Sequence, residues 1–173
     1  MAVRNNFAAG EVLLAADLND TFASKLDLAG KKVLQIVRAT DTSNRQTNSA
    51  TYVDATSISV TITPQKSDSA ILLIVFFVAN ILANSNKAPS GTYRITDSSN
   101  TAISGAEASP IDHYTLTSGG EMLFPCVLSA YATPATTSAT TYKVRIKTAD
   151  TDRFIRLRGD LSTTQFFAIE VSA

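Results

Sequence analysis

The sequence contains a single cysteine, a single histidine and no tryptophan, and its charges cancel. Because Cys126 has no second cysteine to pair with, an intrachain disulfide and a cysteine-based zinc site within one chain are excluded. Lys plus Arg and Asp plus Glu both total 15, so no net charge draws the chain towards nucleic acid or an anionic membrane. The apolar run 70–79 is shorter than the roughly 20 residues that span a bilayer. Neither nucleic acid binding nor membrane insertion is therefore predicted.

Familiar catalytic motifs are also missing. The sequence has no G-x-S-x-G, no H-E-x-x-H, no P-loop and no dinucleotide-binding motif. His113 is predicted to be an ordinary loop residue; the alternatives are a ligand or receptor contact, or a metal site formed with its copies on a threefold axis. Asp150 and Asp152 could contribute to a calcium site, but two carboxylates in a turn more commonly cap and solvate that turn. We predict no metal, no cofactor and no enzymatic activity.

The features that are present centre on residues 57–82, SISVTITPQKSDSAILLIVFFVANIL. Ile58, Val60 and Ile62 alternate with polar residues, which predicts a strand with one buried face. Residues 70–79 are then apolar without a break, so both faces of the next strand need cover. A two-layer sandwich covers only one face of such a strand. The other face requires a partner polypeptide or, alternatively, loops of the same chain.

Residues 1–30 are predicted to form a separate N-terminal arm and short helix. Residues 1–10 have no apolar signal region and no lipidation motif, so secretion by that route is not expected. Within residues 11–28, large apolar side chains recur at i+4, which predicts a helix with one apolar stripe. A helix of about 15 residues is marginal alone in water, so the stripe must pack on its own β domain, on copies of itself or on a larger assembly. The stripe consists of Leu14, Leu18, Phe22 and Leu26.

Residues 31–173 are predicted to form a mainly β domain. About eight to ten short strands, separated by polar turns, follow one another at the spacing of a β-sandwich. The apolar run 122–133 is interrupted by Pro125, which has no backbone N–H, so an edge or bulged strand is expected there. Residues 105–120 lack periodicity and are expected to form an exposed loop. Cys126 lies in an apolar strand and is predicted to be a small buried residue.

One strand of this domain carries a basic stripe. Lys143, Arg145 and Lys147 alternate with apolar residues and therefore share one solvated face. The stripe could receive acidic glycan or lipopolysaccharide phosphates, or it could be an ordinary solvated face balanced by nearby acidic residues. No aromatic residue is interleaved with its charges, which argues against nucleic acid. The basic residues of the following strand and the balancing acidic residues are Arg153, Arg156, Arg158, Asp150, Asp152 and Asp160.

Three segments resemble those of small structural proteins of tailed bacteriophages, especially tail-fibre and appendage proteins. FAAGEVLLAADLNDTFASK is similar to the phage F-x-A-G-x-x-L-T-A-A-D-L-N segment that opens a helical attachment region, except that Leu14 stands where threonine is usual. SVTITPQKSDSAILLIVFF is similar to the T-I-T-P strand, serine-rich turn and following strand of their β domains. QFFAIEVSA resembles the E-I/V-x-A ending of many such chains. Together the three segments frame nearly the whole sequence.

The resemblance implies a homotrimeric virion protein, assembled in the host cytoplasm together with other proteins of the tail or capsid. A jelly-roll-like antiparallel β-sandwich would project from an N-terminal segment seated on the particle. Attachment would involve Phe7, Val12, Leu14, Leu18, Phe22 and Leu26. Trimer packing would cover the second face of strand 70–79, with an interface at Ile71, Leu73, Val75 and Phe77. Contact with the host surface, including its glycans, is expected at Asp112, His113, Tyr114, Lys143, Arg145 and Lys147.

Three functions follow as hypotheses. The first is a tail fibre or host-receptor-binding appendage. The second is a capsid decoration or head-fibre protein that stabilises the shell, which the same motifs fit equally well. The third is a sandwich-fold carbohydrate-active enzyme, which needs paired carboxylates in a cleft. The glutamates present no candidate pair, and only the aspartates leave this third hypothesis open. The glutamates are Glu11, Glu107, Glu121 and Glu170.

Overall fold

The computed structural model describes residues 33–84, 87–112 and 120–172, of which the side chain of Asp112 is not described. The predicted arm and helix, residues 1–30, lie outside the described residues, so that segment and its boundary stay predictions. The described residues contain ten β-strands and no helix. The strands are β1 Val33–Asp41, β2 Asn44–Thr47, β3 Val53–Ile62, β4 Ala70–Ala83, β5 Ser90–Asp97, β6 Ser109–Asp112, β7 Glu121–Ala132, β8 Thr140–Thr148, β9 Arg153–Arg158 and β10 Thr164–Val171.

The strands form two antiparallel sheets, which confirms a mainly β, sandwich-like domain. The smaller sheet has the order β3-β8-β5-β6. The larger sheet runs β1-β10-β4-β9-β2 and branches at β4, which also pairs with β7. The 14 residues of β4 allow this branching, since the strand pairs with β10 along its first half, with β9 along its second half and with β7 along nearly all of its length. The connectivity is therefore this ten-strand branched order and not a plain eight-strand jelly roll.

The core lies between the two sheets and follows from alternation along the strands. Ile58, Val60 and Ile62 on β3 are at most 3% exposed, as their period of two predicts. On β8, Tyr142, Val144 and Ile146 point into the same cluster. The residues that alternate with them, Lys143, Arg145 and Lys147, are only partly buried and lie on the outer side. Full burial of an apolar side chain stabilises the fold by about 1.5–3 kcal/mol. Alternation thus fixes the inner face of most strands.

Strand β7 is an edge of the larger sheet, as Pro125 predicts. Among the described residues, β7 pairs with β4 and with no second strand. Pro125 stands opposite Val78 in that pairing. Proline has no N–H to donate to a ladder and is tolerated where that side of the strand has no partner. The prediction of an edge position for this strand is confirmed.

A buried carboxylate holds the turn between β3 and β4. Glu170 on β10 is fully buried and accepts hydrogen bonds from Ser69 Oγ at 2.6 Å and from Gln35 Nε2 at 2.5 Å. It also accepts from the backbone N–H groups of Gln65 at 2.8 Å and Lys66 at 3.2 Å. Burial alone would raise the pKa of Glu170, but these hydrogen bonds outweigh it and hold the pKa below its ordinary value. One carboxylate therefore ties together β1, β10 and the turn.

Gly159, in the turn after β9, packs against the corner between β1 and β2. A Cβ at this position would lie 2.7 Å from the backbone oxygens of both Asp41 and Ser43. Because both atoms belong to the backbone, they cannot move aside as the end of a flexible side chain does. We expect Gly159→Ala to lower the free energy of unfolding by about 1–3 kcal/mol, measured by urea denaturation. A loss below about 0.5 kcal/mol would contradict this close approach.

Candidate assembly surface

The outer face of the larger sheet is apolar across the four neighbouring strands β1, β10, β4 and β7. Ile36 on β1 is 61% exposed, Phe76 on β4 is 42% exposed and Val127 on β7 is 54% exposed. Between them lie half-buried side chains of the same face. We call the whole set the apolar face; it comprises Val33, Ile36, Leu72, Ile74, Phe76, Val78, Leu123, Val127, Tyr131, Phe167, Ile169 and Val171.

The strand register places these side chains side by side. Phe76 stands opposite Val127 on β7, and its ring meets that of Phe167 on β10 edge to face, with centroids 6.1 Å apart. Ile169 on β10 stands between Ile36 on β1 and Leu72 on β4. Residues directly opposite one another in an antiparallel pair point to the same side of the sheet. The exposed apolar residues therefore form one continuous surface and are not scattered singly.

A polar border limits the apolar face where β9 replaces β10 beside β4. Asn80 accepts from Arg156 Nη1 at 3.1 Å and donates to the carbonyl oxygen of Met122 at 3.0 Å. Arg156 Nε in turn donates to Gln46 Oε1 at 3.0 Å. On the opposite side, the Arg38 guanidinium lies 5.9 Å from the centre of the Phe167 ring. An apolar centre with a polar rim is the usual anatomy of a protein interface.

The size of the apolar face suits an interface between subunits. Four strands about 4.8 Å apart, paired over roughly 20 Å, give a footprint of about 400 Å². The largest contiguous apolar patch of a soluble monomer is commonly about 300–600 Å² and is often a functional surface. A standard interface buries about 800 Å² on each partner, and its centre is the apolar part. The apolar face is large enough to supply that centre.

The structure corrects the residues predicted for the trimer interface. Ile71, Leu73, Val75 and Phe77 are 0–4% exposed and belong to the core between the two sheets. They pack inside their own subunit and so cannot contact another. The alternate residues of the same strand point outwards instead, and these belong to the apolar face. The second face of β4 still needs cover, and that face carries Leu72, Ile74, Phe76 and Val78.

The outer face of the smaller sheet carries the predicted basic stripe. Lys143 Nζ and Arg145 Nε lie 2.8 and 2.7 Å from the two oxygens of Asp54 on β3. Burial would raise the pKa of Asp54, but the ion pairs with Lys143 and Arg145 outweigh it and lower that pKa. Lys147 Nζ lies 4.8 Å from the centre of the Tyr52 ring. We call the surface formed by Arg94, Lys143, Arg145 and Lys147 the basic face.

Two expectations about the basic stripe are corrected. As expected, Asp150 and Asp160 pair with Arg153 and Arg158 of the following strand. Lys143 and Arg145, however, pair with Asp54, and Asp152 pairs with Lys87. An aromatic residue does lie among its charges, because the Arg94 guanidinium sits 3.7 Å from the centre of the Tyr52 ring. Tyr52 lies just before β3 and Asp54 lies within it, and β3 pairs with β8. The sequence does not reveal that pairing.

The other predicted contact residues are placed as follows. Asp112 ends β6. His113, Tyr114 and the six N-terminal attachment residues lie outside the described residues. Cys126 is half-buried and packs against the core, and burial raises the pKa of its thiol. Within the described ranges, no three His, Cys, Asp or Glu side chains are grouped to hold a metal, and no helix is long and apolar enough to cross a membrane.

The cavities of the described residues offer little to a hydrolase. One cavity, of about 310 Å³, lies beside the end of β7 and has Asp97 as its one carboxylate, near Tyr142. Burial and the nearby charge of Asp97 raise the pKa of Tyr142 to about 12. A second cavity, of about 230 Å³, contains Asp54 alone among carboxylates. Glycoside hydrolysis commonly uses two carboxyl groups facing one bond, which neither cavity provides.

Comparison with known proteins gives only distant matches. No protein-family model and no curated protein matches the sequence. A chain in the structure of infectious bursal disease virus Gx strain is 17% identical with a TM-score of 0.33, covering 83% of this chain and 37% of that one. A chain of the T13 IBDV viral particle is 15% identical with a TM-score of 0.32, covering 80% and 36%. The chain thus spans little more than a third of these relatives, and TM-scores this low carry no argument about its fold or function.

Proposed function

We propose that the protein is a non-enzymatic structural subunit of a virus particle that associates with copies of itself through the apolar face. The observation that carries this proposal is the apolar face itself, continuous over four strands and bordered by polar residues. The class of particle comes from the resemblance of three sequence segments to tailed-phage structural proteins. Within that class, a tail fibre or receptor-binding appendage anchored by residues 1–30 is the first candidate.

A second copy of the chain is the partner that suits the apolar face. The face centres on Phe76, Phe167 and Val127, and the charge beside this centre is that of Arg38, which stands opposite Phe167 on β1. Another copy presents the same apolar chemistry, and two sheets pack face to face at about 10 Å. In a cyclic trimer each subunit uses two different patches. The β1–β10 half of one subunit could then meet the β4–β7 half of the next.

The proposed assembly is tested by placing a charge at the centre of the apolar face. In the full-length chain, Phe76→Lys should weaken self-association at least about 30-fold, because an unpaired charge at an interface centre costs 2 kcal/mol or more. The measurement is mass in solution by light scattering on a sizing column. Leu161→Lys is the matched control, since Leu161 is 54% exposed in the turn after β9 and belongs to none of the four strands of this face.

The outcome separates self-association from other roles of the surface. A trimer that dissociates on Phe76→Lys and persists on Leu161→Lys supports the proposal. Repeating the measurement on a chain that starts at Lys31 tells whether the β domain holds the copies together without residues 1–30. A monomeric wild type in both lengths would rule out association through the apolar face.

Capsid decoration is the alternative within the same class, and the position on the particle distinguishes the two. Loss of host binding on replacing Asp112, His113 and Tyr114, with assembly intact, would favour a receptor-binding appendage. Loss of shell stability on deleting residues 1–30 would favour a decoration protein seated by that segment. Release of sugars from host envelope would instead support the carbohydrate-active alternative and overturn the non-enzymatic assignment.

A further inference from the structure

The basic face concentrates positive charge beyond what local ion pairs neutralise. In the strand register Arg94 on β5 stands directly opposite Arg145 on β8, with Lys143 and Lys147 two residues to either side. Like charges placed opposite each other across a sheet destabilise it. Asp54 pairs with two of these cations. Among the side chains that are described, no carboxylate forms an ion pair with Arg94 or Lys147, so the face keeps a net positive charge.

Two cations of this face, Arg94 and Lys147, are held in place by a contact that leaves their charge available, whereas Lys143 and Arg145 share the carboxylate of Asp54. The Arg94 guanidinium and the Lys147 ammonium both lie against the Tyr52 ring, at 3.7 and 4.8 Å from its centre. Arg145 Nη2 donates to the carbonyl oxygen of Tyr52 at 2.7 Å. Arg94 Nε is buried and has no hydrogen-bond partner among the described residues. An aromatic ring orients a cation without neutralising it.

We propose that the basic face binds a linear anionic polysaccharide through Arg94, Lys143, Arg145 and Lys147. Alternate residues of one strand stand about 7 Å apart, so β8 presents a row of regularly spaced cations to successive anionic groups. Beside this row, the hydroxyls of Thr61 and Thr141 are hydrogen-bonded to each other at 2.8 Å, and their remaining bonding capacity could be used by sugar hydroxyls. The face lies on the other sheet from the apolar face, and the inference does not depend on the proposed assembly.

The Tyr52 ring distinguishes a polysaccharide from single-stranded nucleic acid. Proteins that bind single strands stack bases on free aromatic rings along a basic groove. Here the aromatic ring within the cluster is already occupied by Arg94 and Lys147. Anion contacts are therefore available while base stacking is not, which favours sulfate or carboxylate groups on a sugar chain.

The test uses the full-length protein and three probes: fluorescein-labelled heparin, uncharged dextran and single-stranded DNA. Binding is followed by fluorescence anisotropy at about 50 and 200 mM salt, because polyanion contacts weaken steeply as salt rises. We expect heparin to bind, dextran not to bind and DNA to bind more weakly than heparin. The double variant R94Q/K147Q should weaken heparin binding about 25-fold, at roughly fivefold for each cation removed.

The matched control is Lys66→Gln, which removes one exposed cation from the turn between β3 and β4. It should leave heparin affinity unchanged within about twofold, and every variant is checked for an unaltered melting temperature. Should R94Q/K147Q unfold, Lys147→Gln alone is measured, with an expected fivefold loss. Absence of heparin binding at low salt, or equal loss in Lys66→Gln, would overturn the proposal. DNA binding as tight as heparin binding, and equally sensitive to R94Q/K147Q, would overturn the polysaccharide assignment in favour of nucleic acid.

Discussion

Leu73→Ala is expected to lower the free energy of unfolding of the subunit by about 2–5 kcal/mol. Leu73 lies on β4, the strand shared by all branches of the larger sheet, and none of its surface is exposed. Removing three carbon atoms there loses their transfer free energy and leaves a cavity that close-packed neighbours fill only in part. Urea denaturation followed by circular dichroism measures the change.

Leu72→Ala is the matched control for this substitution. Leu72 is also a leucine and comes one position earlier in β4. It lies on the apolar face and is itself half-buried. Its loss should lower subunit stability by less than about 1.5 kcal/mol, because water already reaches the site. Both variants are measured at one low protein concentration, since association adds to apparent stability. Equal losses for the two variants would contradict the assignment of inner and outer faces of β4.

Glu170→Ala is expected to lower the free energy of unfolding by about 2–4 kcal/mol. The substitution removes the acceptor of the Gln65 and Lys66 backbone N–H groups. It also removes one of two acceptors of Ser69 Oγ and Gln35 Nε2, which keep the carbonyl oxygens of Lys66 and Thr63. The control is Glu107→Ala, which removes an exposed carboxylate that accepts one bond from the Gly105 N–H at 3.0 Å. That control should cost less than about 1 kcal/mol. A similar loss in both variants would contradict the role of Glu170 in holding the turn.

The same carboxylate makes stability depend on pH in a defined direction. Because the pKa of Glu170 is lower in the folded protein than in the unfolded chain, its contribution is complete above the ordinary carboxyl pKa of about 4.3. It is lost as pH falls through the lower, folded value. We expect the free energy of unfolding to drop between about pH 5 and pH 2, and to drop less steeply in Glu170→Gln. A constant stability over this range would contradict the lowered pKa.

Alternation in the sequence predicted most of the fold, and its absence explains the principal error. In strands such as β3 and β8 the sequence predicts which side chains point into the core, because apolar and polar residues alternate. In β4 both sets of alternate residues are apolar, and nothing in the run tells inner from outer. The sequence therefore indicates that both faces need cover, but the expectation that Ile71, Leu73, Val75 and Phe77 face outwards is wrong, because they belong to the core. Only the register with β7 and β10 distinguishes Leu73 from Leu72.

The basic face shows a second limit of sequence reasoning. The spacing of Lys143, Arg145 and Lys147 correctly places them on one side of β8. Arg94 and Tyr52, which complete the cluster, are far from them in sequence and carry no local signal of their own. They join it because β5 and β3 flank β8, and strand order is a non-local property that periodicity does not encode. For the same reason, the sequence does not identify Asp54 as the ion-pair partner of Lys143 and Arg145.

The proline in strand β7 restricts how copies of this chain can add to its larger sheet. A free sheet edge invites strand addition from another chain, which leads to open-ended, fibrous growth. Pro125 interrupts that edge with a ring and a missing donor, so an incoming backbone would lose its ladder there. Addition of a strand at β7 is therefore disfavoured, which leaves contact through side chains as the route for copies that meet at this edge. The residue thus acts against open-ended growth from the β7 edge.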